Sequence, residues 1–169
     1  MQVHLSITSL NEETLRLLEP RTATIKKRLE TLNHLASNNI SVSVMMTIIP
    51  GINSHEILSL VKSVADNGAL GVGYTMVRLN GAIGGIFTDW IQKAMPDRAD
   101  KVLHQIAECH GGNLNDSEFG RRMKGSGNLA EQVSQQFKIA RKKYLSGREM
   151  PKLNCELHEQ YKDGQMKLF

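Results

Sequence analysis

The stretch SVSVMMTIIPGIN, residues 41–53, decides how the chain is expected to fold. Its run from Val42 to Ile49 is almost continuous in apolar and β-branched residues, which predicts a parallel strand covered on both faces. The pair Pro50-Gly51 ends that strand, and Asn53 with Glu56 has the spacing of a helix capping box. The carboxyl end of the strand therefore meets the amino end of a helix, where α/β proteins commonly bind ligands.

Two further segments have strand patterns, residues 3–8 and 70–79. Helical patterns separate the three strands. A short helix capped by Asn11 and a longer helix from Thr24 precede the central strand, and a third helix follows it and ends at Gly68. Connections of this length allow right-handed crossovers, so the sequence predicts a parallel three-stranded sheet of the α/β class.

The rest of the chain is predicted to be helical around one long loop. Residues 83–94 and 96–106 have apolar residues at helical spacing and are predicted to cover the sheet, with Trp90 in the core. Residues 111–127 are rich in glycine and have no regular period, which is typical of a functional or disordered loop. A final helix is predicted to begin at a capping box of Asn128 and Glu131, followed from about Gly147 by an extended tail.

Composition limits the possible classes of protein. A chain of 169 residues with 40% hydrophobic content can form one compact domain. No long apolar run or signal peptide is evident, so a cytoplasmic protein without a membrane span is expected. Only Cys109 and Cys155 are present, which excludes a disulfide framework or a cysteine-rich metal site. His104, Cys109 and His110 cannot all share one helical face, so no metal site is predicted there.

The net charge of +4 is unevenly distributed, since residues 119–152 alone carry +7. This excess could attract a phosphate-bearing partner, or it could be a solvated helix face. The basic residues are Arg121, Arg122, Lys124, Lys138, Arg141, Lys142, Lys143, Arg148 and Lys152.

A binding site is expected where the three strands end, because the carboxyl ends of parallel strands share one edge of the sheet. The candidates are Ser6, Thr8, the turn from Ile49 to Gly51, Asn53 and Arg78. Structural roles, such as backbone capping or a simple turn, remain open for each of them. No phosphate loop, dinucleotide fingerprint or nucleophile elbow is present.

Several short motifs, taken in order, resemble those of the radical S-adenosylmethionine (radical SAM) superfamily, and most closely its DNA repair photolyase and spore photoproduct lyase-like branch. The motifs are Val3–Leu10, Leu18–Arg21, Ile48–Glu56, Gly112–Gly120 and the terminal Leu168-Phe169. The resemblance covers only the carboxyl-terminal half of such proteins. The Cys-x-x-x-Cys-x-x-Cys motif that holds the family's [4Fe–4S] cluster is absent from this sequence.

The resemblance implies half of a parallel TIM-type barrel in residues 1–110, followed by the glycine-rich basic loop, a helix and a tail in residues 111–169. In the full-length family, the cluster and S-adenosylmethionine together generate a radical that abstracts hydrogen from the substrate. This chain would be the carboxyl-terminal part of such an enzyme, inactive alone for lack of the cluster cysteines. A split or truncated gene product would explain it most simply.

The resemblance also assigns roles to residues. Ser6 and Thr8 would contact the ribose or methionine moiety of the cofactor, and Arg21 its carboxylate. Ile49 and Gly51 would offer backbone groups to the adenine beside Asn53, although Glu56 comes later than the family's usual glutamate. Further contacts would come from the next strand and the glycine-rich loop: Arg78 would border the cofactor, and Asn115, Asp116, Arg121 and Arg122 the substrate.

Three kinds of partner follow from these hypotheses. A half barrel would pair with the missing amino-terminal half, or with a copy of itself through its free strand edges. If the chain is instead a non-catalytic nucleic-acid-binding or scaffolding module, the basic segment would contact DNA, and binding would weaken steeply with salt.

Overall fold

The structure is a computed structural model that describes residues 1–156. In that range the chain forms three strands and six α-helices, with short 3-10 turns at Ser54–Glu56 and Pro96–Arg98. The elements are β1 (Gln2–Ser6), α1 (Glu12–Leu18), α2 (Ile25–Ser37), β2 (Ser41–Ile48), α3 (Ile57–Asp66), β3 (Gly71–Met76), α4 (Ala82–Ala94), α5 (Ala99–Cys109) and α6 (Gly127–Tyr144).

The strands pair in parallel in the order β1-β2-β3, which confirms the predicted α/β class and the parallel sheet. The register places Ser6 beside Met45 and Met45 beside Gly73. The sheet is compatible with a partial barrel, and closure into a barrel stays a prediction. So does the domain boundary at residue 110.

Local signals place several helix ends where they were predicted. The side chain of Asn11 accepts from the Thr14 amide, and that of Thr24 accepts from the Lys27 amide. Gly68 follows α3 with φ +94°, where a Cβ would come within 2.5 Å of the Ala36 Cβ. The glycine therefore ends α3 and also lets it approach α2.

One face of the sheet is packed against α2, α3 and α6. The residues on this face occupy every second position along each strand. Those on β2 are almost fully buried, as expected for the covered face of a pleated strand. Helix α6 contributes its predicted apolar face. The main members of this first core cluster are Val42, Val44, Met46, Ile48, Val72, Met76, Leu32, Ile57, Leu60, Val61, Val64, Ala130, Val133, Phe137 and Ala140.

Among residues 1–156, no helix covers the opposite face of the sheet, which corrects the prediction that the central strand is buried on both faces. Met45 on β2 is 40% exposed, and Ser6 beside it on β1 is also exposed. The described residues cover the amino-terminal end of this face, where Met150 lies over Gly71 and the Gln2 side chain donates to the Pro151 carbonyl. We call the surface formed by His4, Ser6, Met45, Thr47, Gly73 and Thr75 the open face.

Helices α4 and α5 do not cover the sheet as predicted. They pack on a second cluster at the carboxyl ends of the strands, around Ile49, Ile52, Leu79, Ile91, Ala99, Val102 and Ile106. The apolar stripe of α4 is wider than this contact, so Ile83 and Ile86 are 55% and 67% exposed. Trp90 packs at the border of the cluster and donates its indole N–H to the Leu17 carbonyl at 3.1 Å, which agrees with a structural role.

Both predicted capping boxes are wrong. The cap position of helix α6 lies two residues earlier than expected, at Ser126 instead of Asn128, and it has no side-chain cap. Asn53 does not cap α3, because a 3-10 turn separates them and its side chain bonds elsewhere. Within residues 1–156, no helix has the length and apolar character needed to cross a membrane. The terminal motif Leu168-Phe169 lies outside the described residues.

Candidate functional site

Asn53 joins the carboxyl ends of the first two strands. Its amide nitrogen donates to the carbonyls of Thr8 and Thr47, both at 2.8 Å, and its oxygen accepts from the Ile49 amide at 2.7 Å. The residue is 1% exposed, so these bonds satisfy backbone groups that water cannot reach. The buried Asn53 side chain thus connects three of the predicted site residues: Thr8, Ile49 and Asn53 itself.

The turn after β2 faces the helix layer. The Ile52 amide donates to the Ile49 carbonyl at 3.0 Å, and Gly51 has φ +78°, the conformation that position i+2 of a type II turn requires. A Cβ on Gly51 would lie 2.6 Å from the Gln105 Oε1 on α5. The glycine is therefore needed for the turn and for the close approach of α5, while its proposed adenine contact stays a prediction.

Glu56 holds the segment that follows β1. Its carboxylate accepts from the Ser9 hydroxyl at 2.9 Å and from the Leu10 amide, although both residues are far from it in the sequence. Because Glu56 is buried, this contact anchors the loop that leads into α1. The glutamate does not reach back to Asn53 as the capping box required.

Glu19 and Arg28 form a polar network that the sequence did not reveal. Arg28 bonds to the Glu19 carboxylate and donates to the Ser6 carbonyl at 3.0 Å, and the Thr8 hydroxyl donates to Glu19 at 2.9 Å. Burial alone would raise the pKa of Glu19, but the hydrogen bonds from Arg28 and Thr8 hold it below its ordinary value. The motif from Leu18 to Arg21 pointed to this region, whereas Arg28 had no sequence signal of its own.

The remaining predicted cofactor residues are not brought together by contacts. Arg21 is exposed, and Arg78 is half-buried just beyond β3. Among the described residues, neither makes a side-chain hydrogen bond or a salt bridge. Ser6 is different, since its side chain lies on the open face in the same row as Met45 and Gly73. Its hydroxyl is available to a ligand on that face.

The open face is polar towards the carboxyl ends of the strands. Thr47 and Thr75 lie side by side in one row, and Ser6, Met45 and Gly73 form the row before it. A Cβ on Gly73 would come within 3.2 Å of the Met45 Cε, so the glycine leaves room that the flexible methionine occupies. Hydroxyl groups and a movable thioether make this surface suited to a polar ligand.

The glycine-rich loop is attached to the carboxyl end of β3. The Met76 amide donates to the Met123 carbonyl at 2.8 Å, and the Leu79 amide to the Leu114 carbonyl at 3.0 Å. The His110 ring nitrogen Nε2 is 2.7 Å from the Val77 carbonyl oxygen. The loop that was predicted to contact substrate therefore lies next to the edge where the strands end.

Two of the predicted substrate residues hold the loop in shape. The Arg121 guanidinium is hydrogen-bonded to the buried Asp116 carboxylate and lowers its pKa, and the Glu118 amide adds a second bond to that carboxylate. Arg122 instead lies at the surface, 5.7 Å from the ring centroid of Phe119, which is 89% exposed. Contacts of these residues and of Asn115 with a substrate stay predictions.

Metal ligands are not clustered in the part of the chain that the structure describes, since no group of three His, Cys, Asp or Glu side chains there could hold an ion. Cys109 is buried in the first core, and Cys155 is exposed near the end of the described range. Burial raises the pKa of Cys109 to about 11, with a smaller contribution from Glu108.

Comparison with known proteins gives one match. Residues 1–64 match the model of the Radical SAM superfamily, which spans β1, α1, α2, β2 and most of α3. Neither a curated protein nor a solved structure matches the chain.

Proposed function

We propose that this chain is part of a radical SAM enzyme, and that its open face forms one wall of the cofactor and substrate cavity. The observation that carries the proposal is a parallel sheet with one uncovered polar face, in a segment whose first two strands lie within the matched residues. Parallel sheets are normally covered on both faces. Some other structure or ligand is therefore expected to cover this one.

A barrel wall explains both faces of the sheet. Helices α2, α3 and α6 cover the apolar side, as the outer layer of a barrel does, and the opposite side would face the interior. The interior side is closed near the strand amino ends by Met150 and is polar near the carboxyl ends, where barrel enzymes place their active sites. The remaining wall would come from another segment or from a second chain.

Two groups on or near this wall suit S-adenosylmethionine. Ser6 offers a free hydroxyl on the open face, and the half-buried Arg78, unpaired in residues 1–156, is a cation for a carboxylate. Thr8 and Asn53 would position the strand ends, since their polar groups are already engaged in the protein. When bound with a reduced cluster, S-adenosylmethionine supplies the radical that abstracts hydrogen from the substrate.

The cluster does not fit this chain. Three thiolates are needed, and the sequence has two cysteines. The buried Cys109, with its pKa raised to about 11, remains protonated at neutral pH and lies in the apolar core. We therefore assign the cluster ligands to a part of the enzyme outside this sequence.

Within the superfamily, we assign the chain to the DNA repair photolyase and spore photoproduct lyase-like branch. This finer assignment is supported by the motifs in Leu18–Arg21 and Gly112–Gly120, the second of which forms part of the loop beside the carboxyl edge. In this proposal, the loop faces the substrate.

The proposal is tested by anaerobic reconstitution with iron and sulfide. The chain alone should not develop stoichiometric [4Fe–4S] absorption. The DNA immediately upstream of the Met1 codon should encode a Cys-x-x-x-Cys-x-x-Cys segment, and co-expression with that segment should give the cluster and cleavage of S-adenosylmethionine on reduction. Cluster formation by the chain alone would overturn the ligand assignment. The proposed enzyme would be overturned if neither the upstream region nor a separately encoded chain supplied a Cys-x-x-x-Cys-x-x-Cys segment that gives the cluster and cofactor cleavage.

A pair of serine variants tests the open face in the reconstituted enzyme. Ser6→Ala should weaken S-adenosylmethionine binding, because it removes a hydroxyl near the strand carboxyl ends. Ser43→Ala is the matched control, since Ser43 lies on the same side of the sheet but is buried near Met150 at the amino end. Equal effects of the two substitutions on the dissociation constant would argue against the proposed orientation.

A further inference from the structure

A small cationic pocket lies at the outer edge of β3, away from Asn53 and its network. It has a volume of about 250 Å³, and its polar lining includes Lys124, Ser134, Lys138, Arg141 and the aromatic Tyr74. This is the volume of about eight water molecules in the liquid, enough for a phosphate or pyrophosphate group. Among the described residues, no carboxylate lines it.

The fold aligns these side chains through α6. Ser134, Lys138 and Arg141 are spaced i, i+4 and i+7, which places them on one side of the helix. The neighbouring stripe of α6, which includes Phe137, is buried against the sheet, and Phe137 stacks on Tyr74 with ring centroids 4.3 Å apart. The position of the basic stripe relative to β3 is therefore set by the core.

Lys124 reaches the same pocket from the glycine-rich loop. The neighbouring residue Met123 is bonded through its carbonyl to the Met76 amide at 2.8 Å, so this part of the loop is attached to β3. Gly125 has φ +72°, and a Cβ there would be 2.9 Å from the Cys109 carbonyl. The loop thus passes close to the Cys109 backbone, and its course adds Lys124 to the two cations on α6, Lys138 and Arg141.

The three cations have no counterion within residues 1–156. This contrasts with Arg121, only three residues before Lys124, which is paired with Asp116 and Glu118. Like charges brought together without an anion repel each other. The pocket therefore carries positive charge that no described side chain neutralises.

We propose that this pocket binds a phosphate group, held by Lys124, Lys138 and Arg141 with the Ser134 hydroxyl. Arginine can bond two phosphate oxygens at once, and lysine contributes a point charge. The phosphate comes either from a small phosphorylated molecule or from the backbone of a nucleic acid. The proposal does not depend on the function assigned to the open face.

The test measures binding of two probes to the full chain by calorimetry: inorganic pyrophosphate, and a single-stranded oligonucleotide of ten nucleotides. The test variant is Lys138→Gln with Arg141→Gln. The matched control is Lys142→Gln with Lys143→Gln, which removes the same charge from the same helix at exposed positions that do not line the pocket. Melting curves verify that both variants fold, as expected for surface substitutions.

The test variant should lose at least tenfold in affinity, and the control should stay within twofold of the original chain. If the original chain binds pyrophosphate and the test variant loses that binding, a small phosphorylated ligand is sufficient to occupy the pocket. If only the oligonucleotide binds, with the same dependence on the variants and a salt slope of about −2 for three contacts, the source is a nucleic acid backbone. Equal losses in both variants, or no binding of either probe, would overturn the proposal.

Discussion

Replacing Asn53 should destabilise the protein more than any other single polar substitution near the strand ends. Its side chain makes three hydrogen bonds, to the Ile49 amide and to the carbonyls of Thr8 and Thr47, and is 1% exposed. Asn53→Ala removes all three and leaves the Ile49 amide buried without a partner. The two lost bonds to carbonyls contribute about 1 kcal/mol each to stability, and the Ile49 amide left buried and unpaired costs about 1–3 kcal/mol.

We therefore expect Asn53→Ala to lower the free energy of unfolding by about 3–5 kcal/mol. For a chain of this size in urea, with a slope of about 2 kcal/mol per molar, the midpoint should fall by about 2 M. Trp90 is a suitable fluorescence probe, because it packs beside the second core cluster that includes Ile49. Circular dichroism supplies an independent measure of the same transition.

The control is Asn38→Ala, which removes a single exposed bond to the His34 carbonyl and should cost less than about 1 kcal/mol. A loss below about 1 kcal/mol for Asn53→Ala as well would refute the reasoning. It would mean that water or local relaxation satisfies the groups that the side chain now holds.

Asn53→Asp distinguishes the hydrogen bond that the side chain accepts from the two that it donates. The new side chain can still accept from the Ile49 amide, but as a carboxylate it faces the carbonyls of Thr8 and Thr47, which are acceptors. Burial and these carbonyls should raise the pKa of the introduced carboxyl above its unfolded value. The destabilisation should therefore be greatest at neutral pH and decrease as the pH falls through the raised pKa, because the protonated form can donate.

Three further predictions concern other groups. The pKa of Glu19 is lowered in the folded protein, so its contribution to stability is present above the ordinary value of 4.5 and is lost as the pH falls below it; acid titration of Arg28→Ala should show a smaller loss in that range. At pH 8 a thiol reagent should modify the exposed Cys155 rapidly and Cys109 only after denaturation, because burial raises the pKa of Cys109 to about 11; rapid modification of two thiols per folded chain would contradict the structure. Tyr74→Phe should leave the unfolding free energy within about 0.5 kcal/mol or increase it, since the hydroxyl lacks a partner in the described residues, and a loss above about 1 kcal/mol would reveal a bond that stabilises the folded state.

Several features of the fold followed from the sequence by itself. The parallel pairing of three strands was predicted from apolar runs separated by helices, because crossover connections of that length leave few alternatives. The cap at Asn11, the start of α2 near Thr24 and the glycine after α3 were also predicted correctly. These signals depend on neighbours within one helical turn, so they are visible in a single stretch of chain.

The tertiary structure alone decided how the candidate site is connected. Asn53 and Glu56 have the spacing of a capping box, but they bond to Thr8, Ser9 and Leu10, more than 40 residues earlier. A buried side chain bonds to whatever polar backbone the fold brings near it, and local spacing does not determine that partner. The ion pair of Glu19 with Arg28 was missed for the same reason.

The two faces of the sheet show the same difference between what the sequence predicted and what the tertiary structure determined. Residues 41–53 determined that a buried strand would be followed by a turn and a helix, because that pattern is local. The structure decided that the helices of residues 1–156 cover one side of the strand, which leaves Met45 and the neighbouring Ser6 exposed on the other. Apolar composition measures how much surface a strand can bury, whereas the elements available to pack on it determine which surface is buried.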